Sequence, residues 1–106
     1  MAKYLFVYHG GGDNPSSEAE VAEIMDAWGA WFGGMGDALI DGGNPISGAR
    51  TINGDGSISD GGGANPLTGY SLIQADSFEA AVELAKGCPV LANPDSSVEV
   101  AETIDM

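Results

Sequence analysis

Apolar residues in this 106-residue chain follow two periods, and the switch between them marks the elements. Tyr4-Leu5-Phe6-Val7-Tyr8 is an unbroken apolar run. Leu5 and Val7 share one face of a strand there, and Tyr4, Phe6 and Tyr8 share the other. A strand apolar on both faces is a central strand covered on both sides. His9 ends it, and Gly10-Gly11-Gly12-Asp13-Asn14-Pro15 reads as a loop. The spacing then changes to threes and fours: Val21, Ile24, Met25, Trp28, Trp31, Phe32 and Met35 form one helical stripe. The helix is expected to start at Ser16 or Ser17, because Ser17 and Glu20 fit a capping box. Glu18, Glu20 and Glu23 lie toward the positive end of its dipole, and Gly33, Gly34 and Gly36 close it.

Ala38-Leu39-Ile40-Asp41 predicts a second strand. Residues 49–59 predict a small projecting hairpin around Asn53-Gly54-Asp55-Gly56, since Asn-Gly and Asp-Gly both accept positive φ. The stretch from Asp60 to Ala75, DGGGANPLTGYSLIQA, is a glycine-rich loop running into a strand over 69–75. A second helix follows over Ser77 to Lys86, with Asp76 as N-cap and Glu79 at the third position. Its apolar side is Phe78, Ala81, Val82 and Ala85; Gly87 stops it and Pro89 prevents its return. Val98 to Ile104 alternates as a last strand. This order predicts a single α+β domain over 1–106 with the split βαβ, ferredoxin-like arrangement: a four-stranded antiparallel sheet with two helices on one face. The second face would be bare although the first strand is apolar on both sides. A second copy packed sheet to sheet is the economical cover, so a homodimer is expected.

Charge narrows the partners. Sixteen acidic residues stand against Lys3, Arg50 and Lys86, a net charge of −13. Such a surface repels phosphate backbones and anionic lipid, which argues against nucleic acid and membranes as partners. Cys88 is the one cysteine, so an intrachain disulfide and a thiolate metal cluster are excluded and a reducing cytoplasm is expected. The run from Tyr4 to Tyr8 is too short for a signal-peptide core or a membrane span.

Few residues carry chemistry. His9 suits acid–base work near neutrality, with Asp60 as the carboxylate to orient it; the competing reading is a strand-end histidine bonded to backbone or solvent. Gly10-Gly11-Gly12 has the position of a phosphate loop but neither its spacing nor its lysine, so a tight connection is the stronger reading. Trp28 and Trp31 at helical spacing read as core more readily than as a pocket. Tyr8 and Tyr70, on strands, are the expected lining of a site for an apolar or aromatic ligand. Cys88 reads as a small packed residue. Scattered carboxylates and one histidine make no metal site, and no cofactor is expected.

Several stretches together resemble the YCII-related domains, specifically their DGPF-motif branch: MAKYLFVY, AWGAWFGGMG, the DGG loop, GYSLIQADSFEAAVELAKGCP and SVEVAETI. The resemblance spans nearly the whole chain. Asp60-Gly61 matches the first half of the motif, while Gly62 and Gly63 stand where proline and phenylalanine would be. It implies a dimeric α+β barrel. It also implies kinship with lyases, isomerases and dehalogenases acting on small ring compounds. The histidine that some such proteins carry in the first helix is missing here, as is an aspartate after the second helix in Lys86-Gly87-Cys88-Pro89. Two readings therefore stand side by side. One is a small-molecule-binding or accessory homodimer without established catalysis; the other is a lyase- or isomerase-like enzyme using His9 as acid or base.

Overall fold

Strand β1 (Ala2–His9) is the centre of the molecule. It pairs antiparallel with β5 (Leu67–Ala75) on one side and β6 (Ser97–Glu102) on the other. The computed structural model describes residues 1–10, 17–63 and 66–105; the expected loop from Gly11 to Pro15, a helix start at Ser16, and Asn65 lie outside them. Strand β2 (Leu39–Asp41) adds to the far edge of β5, giving the order β2-β5-β1-β6, antiparallel throughout. With helices α1 (Glu18–Met35) and α2 (Phe78–Lys86), this is the ferredoxin-like α+β arrangement. Strands β3 (Arg50–Ile52) and β4 (Ile58–Asp60) form a separate two-stranded sheet, the expected hairpin. At its turn Asn53 N–H donates to the Ser57 carbonyl. The Ser57 hydroxyl and N–H both donate to Asp55, holding its carboxyl below the ordinary value.

Both helices cover one face of the sheet. That face carries the large side chains of β1, with Tyr4, Phe6 and Tyr8 all buried, opposite Ser71, Ile73 and Ala75 of β5. Phe6 is fully buried and stacks on Trp31 of α1 at a centroid distance of 6.1 Å. The Trp31 indole N–H donates to the Leu84 carbonyl of α2 at 3.0 Å, so one side chain joins both helices to the core. Helix α2 buries Ala81 and Ala85, and Phe78 meets Tyr4 edge to face. The other sheet face presents Leu5, Val7, Leu72 and Ala101. These are half-buried and pack neither in the core nor against it. The aromatic side of β1 thus turns to the helices and its aliphatic side to the open face.

Three local expectations change. The N-cap of α2 is Ser77, whose Oγ accepts from Ala80 N–H at 3.1 Å; Asp76 precedes it and Glu79 occupies the second position. A serine one residue later reaches the free N–H at the start of the helix as well as an aspartate would. In α1, Ser17 caps as expected by accepting from Glu20 N–H, yet the stripe packs only over its C-terminal half. Val21, Ile24 and Met25 are 44, 45 and 67 % exposed. Trp28, Trp31 and Phe32 pack against the core, while the apolar residues of the first turns stay exposed. Strand β6 ends at Glu102, although Thr103 N–H still donates to the Lys3 carbonyl.

Candidate functional site

Two groups of polar and aromatic side chains gather at the same end of β1, one on each face of the sheet. On the helix face, Tyr8 sits over β5, where its hydroxyl donates to Ser71 Oγ at 2.7 Å. Ser71 in turn donates to the Gly42 carbonyl at 2.6 Å. Burial pushes the Tyr8 phenol well above its ordinary value, against the opposing effect of the Ser71 hydrogen bond, so it remains a neutral donor. This relay joins the central strand to the chain just after β2.

Above it lies a cleft of about 570 Å³, between α1 and the segment 42–46. Trp28 and Phe32 form one wall together with Ile24 and Met25, and Tyr8 and Gly69 lie at its base. The Trp28 and Tyr8 rings meet at 5.1 Å with an interplanar angle of 77°. Phe32 is tilted 45° to Trp28 at 5.7 Å. The opposite rim is fixed by three contacts. Gly43 N–H donates to Asp41 Oδ1, Ile46 N–H donates to the Thr68 carbonyl, and Asn44 Nδ2 donates to the Tyr70 hydroxyl. Gly43 has φ +71°, and a Cβ there would stand 1.8 Å from the Tyr70 carbonyl oxygen. A Cβ at Gly69 would come within 3.2 Å of the Tyr8 ring. Glycine at these two positions is therefore what lets the rim and the ring come so close. No charged side chain lines the cleft among the described residues. A second groove of about 720 Å³ lies on the far side of α1, where Trp31 and Glu23 face Pro89 and Asn93. Ile24, Trp28 and Val90 border both.

On the open face His9 is 8 % exposed. Its Nε2 lies 3.1 Å from Glu99 Oε1 and its Nδ1 lies 3.3 Å from the Pro66 carbonyl. A singly protonated ring donates to one of these two acceptors, so its tautomer decides which contact is a hydrogen bond. Glu99 reaches the ring because β6 pairs with β1, placing Glu99 opposite Val7 on the same face as His9. The carboxylate beside the histidine is thus Glu99. Asp60 stands on β4 in the separate hairpin, opposite Arg50 and exposed.

Of the two tyrosines, Tyr8 forms part of the cleft with its ring against Trp28. Tyr70 pairs opposite Val7 and touches the cleft from the rim side through Asn44. Sequence reasoning read Trp28 as core, and it packs against the core as well as lining the cleft; Glu99 and the 42–46 rim were not found. The alternation of Val98, Glu99 and Val100 contains the signal for Glu99, since it puts the carboxylate on the face away from the helices. Among the described residues no group of three His, Cys, Asp or Glu side chains is placed to hold a metal ion. No helix among them is long and apolar enough to cross a membrane. No family model matches the chain, and no curated protein matches it either.

Cys88 is buried beneath the end of α2, and burial pushes its thiol from 9.0 up to about 11. Its thiolate is therefore scarce at neutral pH. In the folded protein it is expected to react with iodoacetamide at pH 8 at least about tenfold more slowly than in guanidinium. The same shift has a sign for stability. Between pH 9 and about 11 the unfolded chain has lost this proton and the folded chain has kept it. Stability from this group is accordingly intact below pH 9 and falls as pH rises through that window. Denaturant midpoints that rise from pH 9 to pH 11 would contradict it.

Proposed function

We propose that the protein is a small-molecule-binding homodimer, with the cleft beside Trp28 as its ligand site. The observation that carries this reading is the cleft itself. Its volume lies in the range of small-ligand pockets, and it combines an aromatic wall with a rim of backbone groups held in place by hydrogen bonds. The YCII-like features of the sequence agree with a ligand of ring size.

The dimer rests on the open sheet face. The chain exposes 7059 Å², where a folded monomer of 10.7 kDa would expose about 5,500 Å². The radius of gyration of 15.1 Å likewise exceeds the roughly 13 Å of a globular chain this long. The projecting hairpin contributes to both excesses; the aliphatic face of Leu5, Val7, Leu72 and Ala101 is the surface suited to a second copy.

One observation favours a second, catalytic reading. His9 with Glu99 against Nε2 has the arrangement of an acid–base group beside an orienting carboxylate, at the edge of that same face. Asp60 has no part in it.

The test is a titration of purified protein with small neutral and anionic ring compounds, read by tryptophan fluorescence and by sedimentation in the same samples. The expected result is a two-chain mass and saturable quenching by at least one compound. Phe32→Ala should weaken that affinity at least about tenfold, because it removes one aromatic wall. A one-chain mass at micromolar concentration overturns the dimer. Quenching that is absent throughout the series, or unchanged in Phe32→Ala, overturns the cleft.

A further inference from the structure

The cleft has a property that its apolar lining alone does not explain. It is neutral and aromatic within a strongly acidic chain. Of 19 charged side chains of Lys, Arg, Asp and Glu, 16 are acidic, and none of the three cationic ones lines the cleft. The charges adjoining it are negative. Asp41 holds the rim through Gly43 N–H, and Glu23 lines the neighbouring groove that shares Ile24 and Trp28 with the cleft. An anionic ligand entering here meets repulsion from the chain's overall charge and no basic partner at the end.

The ring geometry favours the opposite charge. The faces of tryptophan, tyrosine and phenylalanine carry negative potential, and a cation within about 6 Å of a ring centroid is attracted to them. Trp28 and Phe32 line the cleft as half-buried rings tilted 45° to each other at 5.7 Å, and Tyr8 is packed edge to face on Trp28 at the base. Two rings tilted in this way let one compact cation contact both. The Tyr8 hydroxyl is committed to Ser71, so the base of the cleft presents no free hydroxyl to a ligand. Inorganic cations gain little here because, among the described residues, no carboxylate lines the cleft to replace their water. A methylated ammonium group suits it: it has an apolar skin and carries a charge spread over its methyl groups.

We infer that the cleft takes an organic cation with a methylated ammonium head, held against Trp28 and Phe32, with room beside the head for a further substituent. This rests on the reading of the cleft as a ligand site. The experiment compares choline with 3,3-dimethylbutan-1-ol, its neutral isostere in which carbon replaces the charged nitrogen. Both are titrated against the whole protein by tryptophan fluorescence and calorimetry. Choline is expected to bind at least tenfold more tightly than the alcohol. Trp28→Leu should remove most of that preference, weakening choline at least tenfold and the alcohol by no more than about twofold. Circular dichroism confirms that the variant is folded, and Phe32→Leu takes its place if it is not. Equal affinity for the two compounds overturns the cation inference and leaves the cleft as an apolar site. Binding of neutral ring compounds without choline binding does the same. Silence toward choline, the alcohol and every ring compound overturns both readings together.

Discussion

Replacing Phe6 with alanine is expected to destabilise the protein by about 3–5 kcal/mol and to lower its melting temperature by more than about 10 °C. Phe6 is fully exposed in no direction: its ring is entirely buried, lies mid-way along the central strand and stacks on Trp31. Removing it deletes the transfer free energy of the ring and leaves a void that the sheet cannot close, since β1 is held on both sides by β5 and β6. The loss is also transmitted to α1. Trp31 is fixed by the Leu84 carbonyl on one side and by Phe6 on the other, so the helix loses one of its contacts with the core. Phe6→Leu serves as the reference, because it keeps most of the volume and should cost less than about 1.5 kcal/mol. Urea unfolding of the two variants measures the difference. An alanine variant within 1 kcal/mol of the leucine variant would mean that the core is not organised around this ring.

Gly43→Ala is expected to be the most damaging single-methyl change outside the core, at about 2–5 kcal/mol. Two independent effects add. A residue with φ +71° is left-handed, which an alanine adopts only at a cost. The added Cβ would also stand 1.8 Å from the Tyr70 carbonyl oxygen, a backbone atom of a strand paired on both sides. Because β5 cannot retreat, the rim must move, taking Asn44 from Tyr70 and Ile46 from Thr68. The effect on ligand binding should therefore exceed the effect on stability when both are measured in one variant. Gly48→Ala is the control: its Cβ would meet open space, and it should change neither. If Gly43→Ala melts like the wild type, the rim does not approach β5 as closely as described.

Most of the fold was legible because it depends on short-range rules. An apolar run located β1, strand-like composition located β5, spacing in threes and fours located α1, and Asn53-Gly54-Asp55-Gly56 marked the hairpin between β3 and β4. The open sheet face followed from β1 alone, as an apolar strand needs cover on two sides while two helices supply one. What escaped depends on register and on contact across the chain. Glu99 meets His9 through the pairing of β6 with β1, and nothing local says which residue of β6 will lie opposite Val7. Asp60 was the nearest plausible carboxylate by motif, but the hairpin carries it elsewhere. Periodicity reports which face of α1 is apolar, not how far along the helix a partner extends; Val21, Ile24 and Met25 show the difference. The short 3-10 turn over Pro89–Ala92 was announced only by Pro89.

The position of β1 has a bearing on how the chain is made. Its two neighbours are β5 and β6, which both come from the later part of the sequence. As the polypeptide emerges from the ribosome, β1 appears early and stays unpaired while the next two-thirds of the domain is synthesised. During that interval Tyr4 to Tyr8 is an apolar, β-prone segment with two free edges, the kind of stretch that recruits other nascent chains. Pairings so distant in sequence also form slowly once all parts are present. The aspartates and glutamates scattered along the intervening chain then have a role before any native contact exists: they keep neighbouring copies apart until β6 arrives.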